Sequence, residues 1–348
     1  MSEIPASELP VIARKEGRAG RLTLNRPKAL HSLNPDMCLI MYDSLKDWRD
    51  DPEVEFILVD HAPGTRGFCA GGDIRLIADS GAADGKEAAH FFAVEYRLNA
   101  LIHSYPKPYI AIMDGVTMGG GVGISVHGSH RISTENTTFA MPESGIGLFP
   151  DVGGGWFMPR LKGELGEWLA QTGARLKGKD VLAAGIATHF TEAANLDALK
   201  AAAIKNGVKV FDALEQSAEG SFAPHVALMD QCFAKDTVEE IFAALEASND
   251  PWAQKQLADL KTKSPTTLKV AKRQMKEALK AKSFEDNMRM EYRIAVRIVR
   301  THDFQEGVRA VIIDKDNAPK WSPATLEGVT DAMLDQLFAD LGEQELTF

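Results

Sequence analysis

The sequence has little cysteine, and none of it is arranged to bind a metal or to build a disulfide framework. The 348 residues include 3 cysteines, Cys38, Cys69 and Cys232, which lie far apart and are odd in number. There is no Cys-x-x-Cys pair. Disulfide-rich secreted scaffolds need an even set of cysteines, so this class is excluded, and the cysteine usage suits a reducing compartment. We also predict no metal site.

An excess of basic residues is missing too. The chain has 39 Lys+Arg against 49 Asp+Glu, which gives a formal net charge of −10. Nucleic-acid-binding and polybasic membrane-surface proteins carry the opposite balance, so we predict no nucleic-acid partner. An anionic ligand would need a local pocket rich in basic or N–H groups, because the overall field would repel it.

Long apolar runs are absent as well. The least charged stretch, residues 109–130, is interrupted by Asp114 and by several glycines, so we predict no membrane span and no membrane partner. The first residues, MSEIPASE, lack the basic and apolar regions of a secretory signal and the arginine-rich composition of a transit peptide. These features predict a cytoplasmic location.

What the sequence does contain is the composition of a globular protein, 45% hydrophobic and 25% charged. A glycine-containing turn between Val11–Ala13 and Arg21–Leu24 predicts a β-hairpin. Asn34 followed by Pro35 predicts the start of a helix that ends near Trp48. Further elements are predicted as strands at Phe56–Val59 and Tyr109–Met113 and as a helix at Phe91–His103. This alternation is typical of a layered α/β domain.

The character of the sequence changes along the chain. From about Lys162 onward the pattern becomes helical and strand signals are sparse. We therefore predict an α/β core over residues 1–205, which would hold the ligand site, and a mostly helical region over residues 206–348.

Two glycine-rich segments at strand-to-helix junctions are candidate binding loops. They are GFCAGGDI, residues 67–74, and GVTMGGGVG, residues 115–123. Glycine allows a ligand to approach the backbone, and N–H groups in the first turn of a helix have no intrahelical partner. Two such groups directed at one carbonyl oxygen would stabilise an enolate or a tetrahedral anion. The glycines could equally serve only tight turns and close packing of helices.

Two carboxylates follow these loops, Glu143 directly after Pro142 and Asp151 within the segment FPDVGGG. A lone Pro-Glu is most often a solvated turn. The ordered series of two N–H loops and two carboxylates, however, resembles the crotonase superfamily, also called the enoyl-CoA hydratase/isomerase family. This resemblance covers about residues 11–190 and includes the segment NRPKAL, residues 25–30.

The resemblance implies a crotonase-type α/β core with an acyl-CoA site and a helical C-terminal region. It implies that Gly72 and Gly120 donate the two oxyanion N–H groups, that Glu143 is the catalytic glutamate and that Ala70 lies near the CoA adenine. CoA would arrive as part of the substrate, and neither a metal nor a redox cofactor is implied. Members of this family usually form trimers or hexamers, so the resemblance also implies a homo-oligomer.

One position departs from the hydratase pattern. Hydratases of this family carry a second catalytic glutamate where this chain has Gly123. Adding water across a double bond requires two acid–base groups, so this difference argues against a hydratase.

Further segments narrow the resemblance to the 3-hydroxyisobutyryl-CoA hydrolases, one group within the superfamily, over nearly the whole chain. In that group Glu143 and Asp151 correspond to the catalytic acids, and Glu95 and Gly120 to positions that contact the substrate. The segments are MGGGVGISVHG (118–128), MPESGIGLFPDVGGG (141–155), LKGKD (176–180), AGIATH (184–189), RTHDFQEGVRA (300–310) and IDKD (313–316).

The resemblance therefore implies a thioester hydrolase that acts on 3-hydroxyisobutyryl-CoA, a step of valine breakdown. Glu143 would either activate water or attack the thioester directly to form an anhydride, and both routes stay open. Asp151 would orient water or the substrate hydroxyl and help to protonate the departing thiolate. The alternatives are an enoyl-CoA hydratase or isomerase on the same fold and a non-catalytic acyl-CoA-binding protein.

Overall fold

The computed structural model describes residues 8–348, which form two compact units. Each unit is built from three segments of the chain. The first unit contains the chain up to Asp73, Arg97–Phe139 and Leu176–Ser221, and the second contains Ile74–Tyr96, Ala140–Arg175 and Phe222–Phe348.

Two sheets form the framework of the first unit. The larger has the strand order β1-β2-β3-β5-β7-β10, and the smaller has the order β4-β6-β8-β9. The strands are β1 (Val11–Glu16), β2 (Ala19–Leu24), β3 (Phe56–His61), β4 (Gly67–Cys69), β5 (Tyr109–Met113), β6 (Val116–Met118), β7 (His130–Ser133), β8 (Thr138–Ala140), β9 (Leu176–Lys177) and β10 (His189–Phe190).

The larger sheet begins with the predicted hairpin, which is confirmed. β1 pairs with β2 in antiparallel register from Val11↔Leu24 to Glu16↔Ala19, with Gly17 in the turn at a φ of 56°. The remaining neighbours in this sheet pair in parallel. β3 and β5 are almost entirely buried, which explains their continuous apolar sequences, FILV and YIAIM.

The core of the first unit lies on one face of the larger sheet. Side chains from the central strands pack there against a helix at Leu196–Asn206 and against the 3₁₀ helix that follows it. The buried members of this cluster are Ala19, Phe56, Leu58, Ile110, Ile112, Ile132, Leu196, Ala203 and Phe211.

Fifteen α-helices complete the described part of the chain. They are α1 (Pro35–Arg49), α2 (Ile74–Ala82), α3 (Lys86–His103), α4 (Gly120–Gly123), α5 (Gly154–Phe157), α6 (Leu165–Thr172), α7 (Lys179–Ala183), α8 (Leu196–Asn206), α9 (Val226–Phe233), α10 (Val238–Glu246), α11 (Pro251–Leu260), α12 (Pro265–Ala278), α13 (Phe284–Ile298), α14 (His302–Val308) and α15 (Asp331–Phe338).

The helix boundaries follow from local chemistry. The Asn34 side chain accepts a hydrogen bond from the N–H of Met37, as predicted for the start of α1, and this helix ends at Arg49. α3 begins at Lys86, five residues before the predicted Phe91. The prediction began at the apolar run, but the preceding KEAAH consists mainly of strong helix formers and extends the helix.

In the described residues after Phe190 the regular elements are all helices and no strand occurs, so the predicted helical C-terminal region is confirmed. The helices after residue 222 do not form a unit of their own. Residues 74–96 and 140–175 belong to the same compact unit. The boundary near residue 205 stays a prediction. None of the helices in residues 8–348 has the length and apolar character needed to cross a bilayer.

Candidate active site

The two glycine loops lie against each other in the first unit. β4 and β6 are parallel neighbours, so the segments that leave their carboxyl ends are adjacent. A Cβ added to Gly121 would lie 2.2 Å from the carbonyl oxygen of Cys69, and one added to Gly71 would lie 3.7 Å from that of Met118. Glycine at position 121 is therefore needed for this close approach.

Gly72 presents its N–H group on one side of the first loop. It forms an isolated parallel bridge with Leu33, in which the Leu33 N–H donates to Gly71 O at 2.7 Å and the Asp73 N–H donates to Leu33 O at 2.8 Å. Both bonds use the neighbours of Gly72. Because backbone groups alternate in direction along an extended chain, the Gly72 N–H points away from Leu33.

Gly120 is the first residue of α4 and follows Gly119, whose φ of 46° requires glycine. The carbonyl of Gly119 accepts hydrogen bonds from the N–H groups of Val122 and Gly123. The Gly120 N–H lies in the first turn, where no intrahelical acceptor is available. The N–H groups of Gly72 and Gly120 thus belong to two adjacent loops, which suits the predicted oxyanion hole, although their role stays a prediction.

Ala70, the predicted adenine contact, lies in the first of these loops. Its N–H donates to Leu30 O at 3.0 Å, and Leu30 has a φ of 49°. This bond joins the loop to the NRPKAL segment, residues 25–30.

Three of the predicted site residues come together in the second unit. Glu95 is on α3, Glu143 opens the 3₁₀ helix Glu143–Ile146, and Asp151 lies in the loop before α5. Their exposed fractions are only 2%, 5% and 5%. Carboxyl groups are rarely buried to this degree unless they are paired, and a cluster of three with raised pKa values marks a candidate functional site.

Burial raises the proton affinity of all three groups, and repulsion adds to it in two of them. Burial raises the pKa of Glu143 well above its usual range, and the charge of Asp151 raises it further. The pKa of Glu95 is raised in the same way by burial and then by Asp151 and Glu143. Burial raises the pKa of Asp151 to about 6, although a hydrogen bond from Tyr96 opposes this shift. One carboxyl group can therefore hold a proton near neutral pH while its neighbour is ionised.

Tyr96 is a site residue that sequence reasoning missed. Its side chain is fully buried, and its hydroxyl donates a 2.7 Å hydrogen bond to Oδ2 of Asp151. The contact fixes the direction of one oxygen of the carboxylate. Tyr96 follows Glu95 directly in the chain, but only the tertiary structure shows that its hydroxyl reaches Asp151.

Two carboxylate oxygens in this cluster lack a hydrogen-bond partner among the described residues. They are Oε1 of Glu95 and Oε2 of Glu143, and both are buried. A buried carboxylate oxygen without a partner is costly, so these positions are suited to receive water or substrate groups. No group of three or more His, Cys, Asp or Glu in residues 8–348 has an arrangement that could hold a metal ion.

Glu291 on α13 is a second residue that the sequence reasoning missed. It accepts hydrogen bonds from the N–H group of Gly153, at the end of the loop that carries Asp151, and from that of Gly155, in the first turn of α5. Burial raises the pKa of Glu291 to about 8, and the Gly153 N–H opposes this shift. The sequence held a signal, because Asn287 and Glu291 interrupt the apolar stripe of an amphipathic helix.

Comparison with curated proteins gives a consistent set of relatives. A protein from Gallus gallus named "3-hydroxyisobutyryl-CoA hydrolase, mitochondrial" is 46% identical over 98% of this chain and 91% of its own length. The protein of the same name from Homo sapiens is 45% identical over 97% of this chain and 90% of its own length.

These names also correct one prediction. The expected cytoplasmic location is wrong, because relatives from Gallus gallus, Xenopus laevis and Homo sapiens are all named mitochondrial. The prediction rested on a leader pattern that was not found. The composition and charge of a folded chain do not indicate the compartment in which it works. The missing leader pattern was therefore not evidence for a cytoplasmic location.

Solved structures agree with the architecture. A structure described as a carnitinyl-CoA dehydratase from Mycobacterium thermoresistibile matches with a TM-score of 0.93 and 43% identity, over 97% of this chain and 98% of that one. An enoyl-CoA hydratase from Rhodobacter sphaeroides 2.4.1 matches with a TM-score of 0.91 and 40% identity, over 97% of this chain and 100% of that one. The model of the enoyl-CoA hydratase/isomerase family matches residues 19–338. The predicted crotonase-type fold is therefore confirmed, and this chain belongs to the enoyl-CoA hydratase/isomerase family.

Proposed function

We propose that this protein is an acyl-CoA thioester hydrolase that converts 3-hydroxyisobutyryl-CoA and water into 3-hydroxyisobutyrate and CoA, a step of valine breakdown. The observation that carries the proposal is its likeness to proteins named 3-hydroxyisobutyryl-CoA hydrolase, at 45–47% identity over nearly the whole chain. The acid cluster of the second unit offers a base and an acid, and two neighbouring loops of the first unit offer N–H donors, which are the kinds of group that thioester hydrolysis needs.

In this proposal the thioester oxygen accepts hydrogen bonds from the N–H groups of Gly72 and Gly120. Negative charge develops on that oxygen as the carbonyl carbon becomes tetrahedral. Backbone donors already in place stabilise this charge without rearranging, and such donors are often the largest single contribution to catalysis. Ala70 contacts the adenine end of CoA in the same proposal.

Glu143 supplies the base or the nucleophile through its unpartnered Oε2. As a base it takes a proton from the water that attacks the thioester carbon. As a nucleophile it attacks that carbon itself, releases CoA thiolate and leaves an anhydride that water then cleaves. Both routes end with the same two products and need neither a metal nor a redox cofactor.

Asp151 and Glu95 contact the substrate in this proposal. Asp151 has a pKa of about 6, so it is largely ionised near neutral pH, and Tyr96 fixes its direction. Asp151 can therefore accept a hydrogen bond from the substrate hydroxyl or from water. Its protonated fraction can deliver a proton to the departing thiolate.

A hydratase or isomerase is the second candidate, since two well-matched structures are described as a carnitinyl-CoA dehydratase and an enoyl-CoA hydratase. The buried residue Gly123 argues against hydration, because it provides no side chain at the position where the hydratase pattern of this family has a second glutamate. An isomerase needs only one base and stays open. A non-catalytic acyl-CoA-binding protein would need the loops but not Glu143.

The deciding experiment measures two reactions of the purified protein. We expect rapid release of CoA thiol from 3-hydroxyisobutyryl-CoA, followed with a thiol reagent, and little or no hydration of crotonyl-CoA, followed by the absorbance of the conjugated thioester. Fast hydration with negligible thiol release would favour the hydratase over the thioester hydrolase. Tight binding of the acyl-CoA without turnover would favour the binding protein.

We also propose that the chain assembles into a trimer or a hexamer, as members of this family usually do.

A further inference from the structure

The buried face of α13 carries one ionisable side chain, Glu291. Apolar and amide side chains at helical spacing surround it on this face, and Glu291 itself is 0% exposed. A carboxylate is costly in such a place unless hydrogen bonds replace its hydration. The buried residues of the helix are Phe284, Asn287, Met288, Glu291, Ile294, Ala295 and Ile298.

Four uncharged donors replace that hydration. The Gly153 N–H donates to one carboxylate oxygen of Glu291 at 2.7 Å, and the Gly155 N–H donates to the other at 3.0 Å. The second oxygen also accepts from Gln274 Nε2 at 3.0 Å and from Asn287 Nδ2 at 2.9 Å. Two of the four donors are thus backbone groups at the junction between the Asp151 loop and α5, and each donates to a different oxygen of Glu291.

The backbone that follows Asp151 has an unfavourable conformation that other contacts must stabilise. Val152 has a φ of 50° and Gly153 a φ of 86°, so two successive residues adopt the left-handed conformation. A β-branched residue rarely does so, and such strain persists only when the surroundings enforce it. Gln274 Nε2 also donates to Pro150 O at 2.7 Å, so hydrogen bonds secure the chain on both sides of Asp151.

The glycine at 155 makes this arrangement sterically possible. A Cβ there would lie 2.8 Å from Gln274 Nε2 and 2.9 Å from Asn287 Oδ1. Both side chains could not then stay where they contact Glu291. The GGG run of residues 153–155 therefore combines a left-handed residue with a close approach of α12 and α13.

We infer that Glu291 is a positioning residue of the active site, which clamps residues 150–155, the loop and the start of α5, and so holds Asp151 against the Tyr96 hydroxyl. It touches neither water nor substrate in the proposed reaction and acts only through Asp151. The inference rests on the proposed function for its kinetic readout. The clamp itself rests on the hydrogen bonds described above.

A double-mutant cycle tests it. Glu291→Gln keeps the size of the side chain, but its NH₂ group cannot accept a hydrogen bond, so only one of the two glycine N–H groups keeps its acceptor. We expect kcat for thiol release to fall by about 10- to 100-fold with a smaller change in KM, as for a misplaced catalytic group. If Glu291 acts through Asp151, the same change made in an Asp151→Asn protein should lower kcat by less than about 3-fold, because coupled residues are not additive.

Glu167→Gln is the matched control. Glu167 is also a buried glutamate of the second unit, on α6, where it accepts from Gln171 at 2.8 Å and lies 3.4 Å from Lys272. We expect its effect on kcat to be the same with and without Asp151→Asn. If Glu291→Gln does not fold, Gln274→Met replaces it in the cycle, since this change removes the bonds to Pro150 and Glu291 without changing a charge.

Two results would overturn the inference. One is a folded Glu291→Gln protein with the kcat of the wild type, and the other is an equal loss in both backgrounds. A wild-type protein that releases no thiol would instead contradict the proposed function, and the cycle would then be measured on crotonyl-CoA hydration. A crystal structure of Glu291→Gln gives a readout independent of turnover, in which the 2.7 Å contact between Tyr96 and Asp151 should be lost. If that contact persisted unchanged, the clamp would be disproved.

Discussion

At the scale of single residues, burying the three candidate carboxyl groups lowers the stability of the fold. Burial raises the proton affinity of Glu95, Glu143 and Asp151, and repulsion from Asp151 adds to this in the two glutamates. A core made only for stability would not place them together, because neutral side chains of similar size would pack there at lower cost. This conflict with stability is itself evidence for a function.

Glu143→Gln separates catalysis from packing. The amide keeps the shape of the side chain but cannot serve as a base or as a carboxylate nucleophile. We expect kcat for 3-hydroxyisobutyryl-CoA to fall by about 10²- to 10⁴-fold, with a melting temperature equal to or above that of the wild type. Steady-state kinetics and thermal melts on the same preparation check this. A cooler-melting protein with normal kcat would reduce Glu143 to a structural residue.

Asp151→Asn tests the electrostatic cost through its dependence on pH. The folded-state pKa of Asp151 is about 6, above its ordinary value of 3.8, so the folded state binds this proton more tightly than the unfolded state does. The free energy of unfolding of the wild type should therefore fall as pH rises from about 4 to about 6 and stay lower above that range. The difference in pKa corresponds to about 3 kcal/mol.

The amide introduced by Asp151→Asn cannot ionise, so this penalty disappears in the variant. We expect Asp151→Asn to be more stable than the wild type at pH 8 by up to about 3 kcal/mol and nearly equal at pH 4, as measured by urea unfolding. Its kcat should fall, more for 3-hydroxyacyl than for unsubstituted acyl thioesters. A variant that is less stable than the wild type at pH 8 would mean that Asp151 mainly supports its turn.

At the scale of elements, strand pairing brings the two glycine loops together. The glycine loops are separated in sequence. Because β4 and β6 pair in parallel, their carboxyl ends, from which the two loops begin, lie at the same edge of the smaller sheet. Gly121 then allows the second loop to approach the carbonyl of Cys69. The N–H groups of Gly72 and Gly120, the proposed donors, lie in neighbouring loops because of this pairing and not because of either loop alone.

Gly120→Pro tests the second donor. Proline is tolerated at the first position of a helix but has no N–H, so the fold can survive while the donor is lost. We expect turnover to fall by about 10²- to 10³-fold, the usual cost of removing one oxyanion donor. Gly120→Ala, which keeps the N–H, is the matched control and should lose less. A folded Gly120→Pro protein with near-normal kcat would contradict the assignment of this donor.

At the scale of the whole molecule, the helical region is part of the architecture of the acid cluster. Residues 74–96 and 140–175, which carry Glu95, Glu143 and Asp151, belong to the same compact unit as residues 222–348. α12 and α13 provide Gln274, which bonds Pro150, and Glu291, which bonds Gly153 and Gly155. A truncation that removes these helices would remove the support of the Asp151 loop.

The state of assembly is the prediction at this scale. Since the family usually forms trimers or pairs of trimers, we expect a solution mass of about three or six times the 37.9 kDa of one chain. Sedimentation velocity at several protein concentrations would measure it. A single species of one-chain mass at all concentrations would contradict the expectation.

Local patterns in the chain are sufficient to predict the elements and the chemical groups that each loop offers. Asn34-Pro35 specifies the start of α1, and the apolar run YIAIM specifies β5. Both signals depend only on residues that are close together in the chain. The order of two glycine loops and two acids was sufficient to identify the family. Gly123 was sufficient to argue against hydration.

Which groups meet, and how their surroundings change their proton affinity, depends on the packing of the complete fold. Tyr96 and Asp151 are distant in sequence, as are Glu291 and Gly153, and their hydrogen bonds depend on packing that no local pattern encodes. The raised pKa of Asp151 likewise comes from burial, which is a property of the folded unit. A sequence specifies which side chains can donate, accept or ionise, but proton affinity and direction depend on the desolvation and contacts that the complete fold creates.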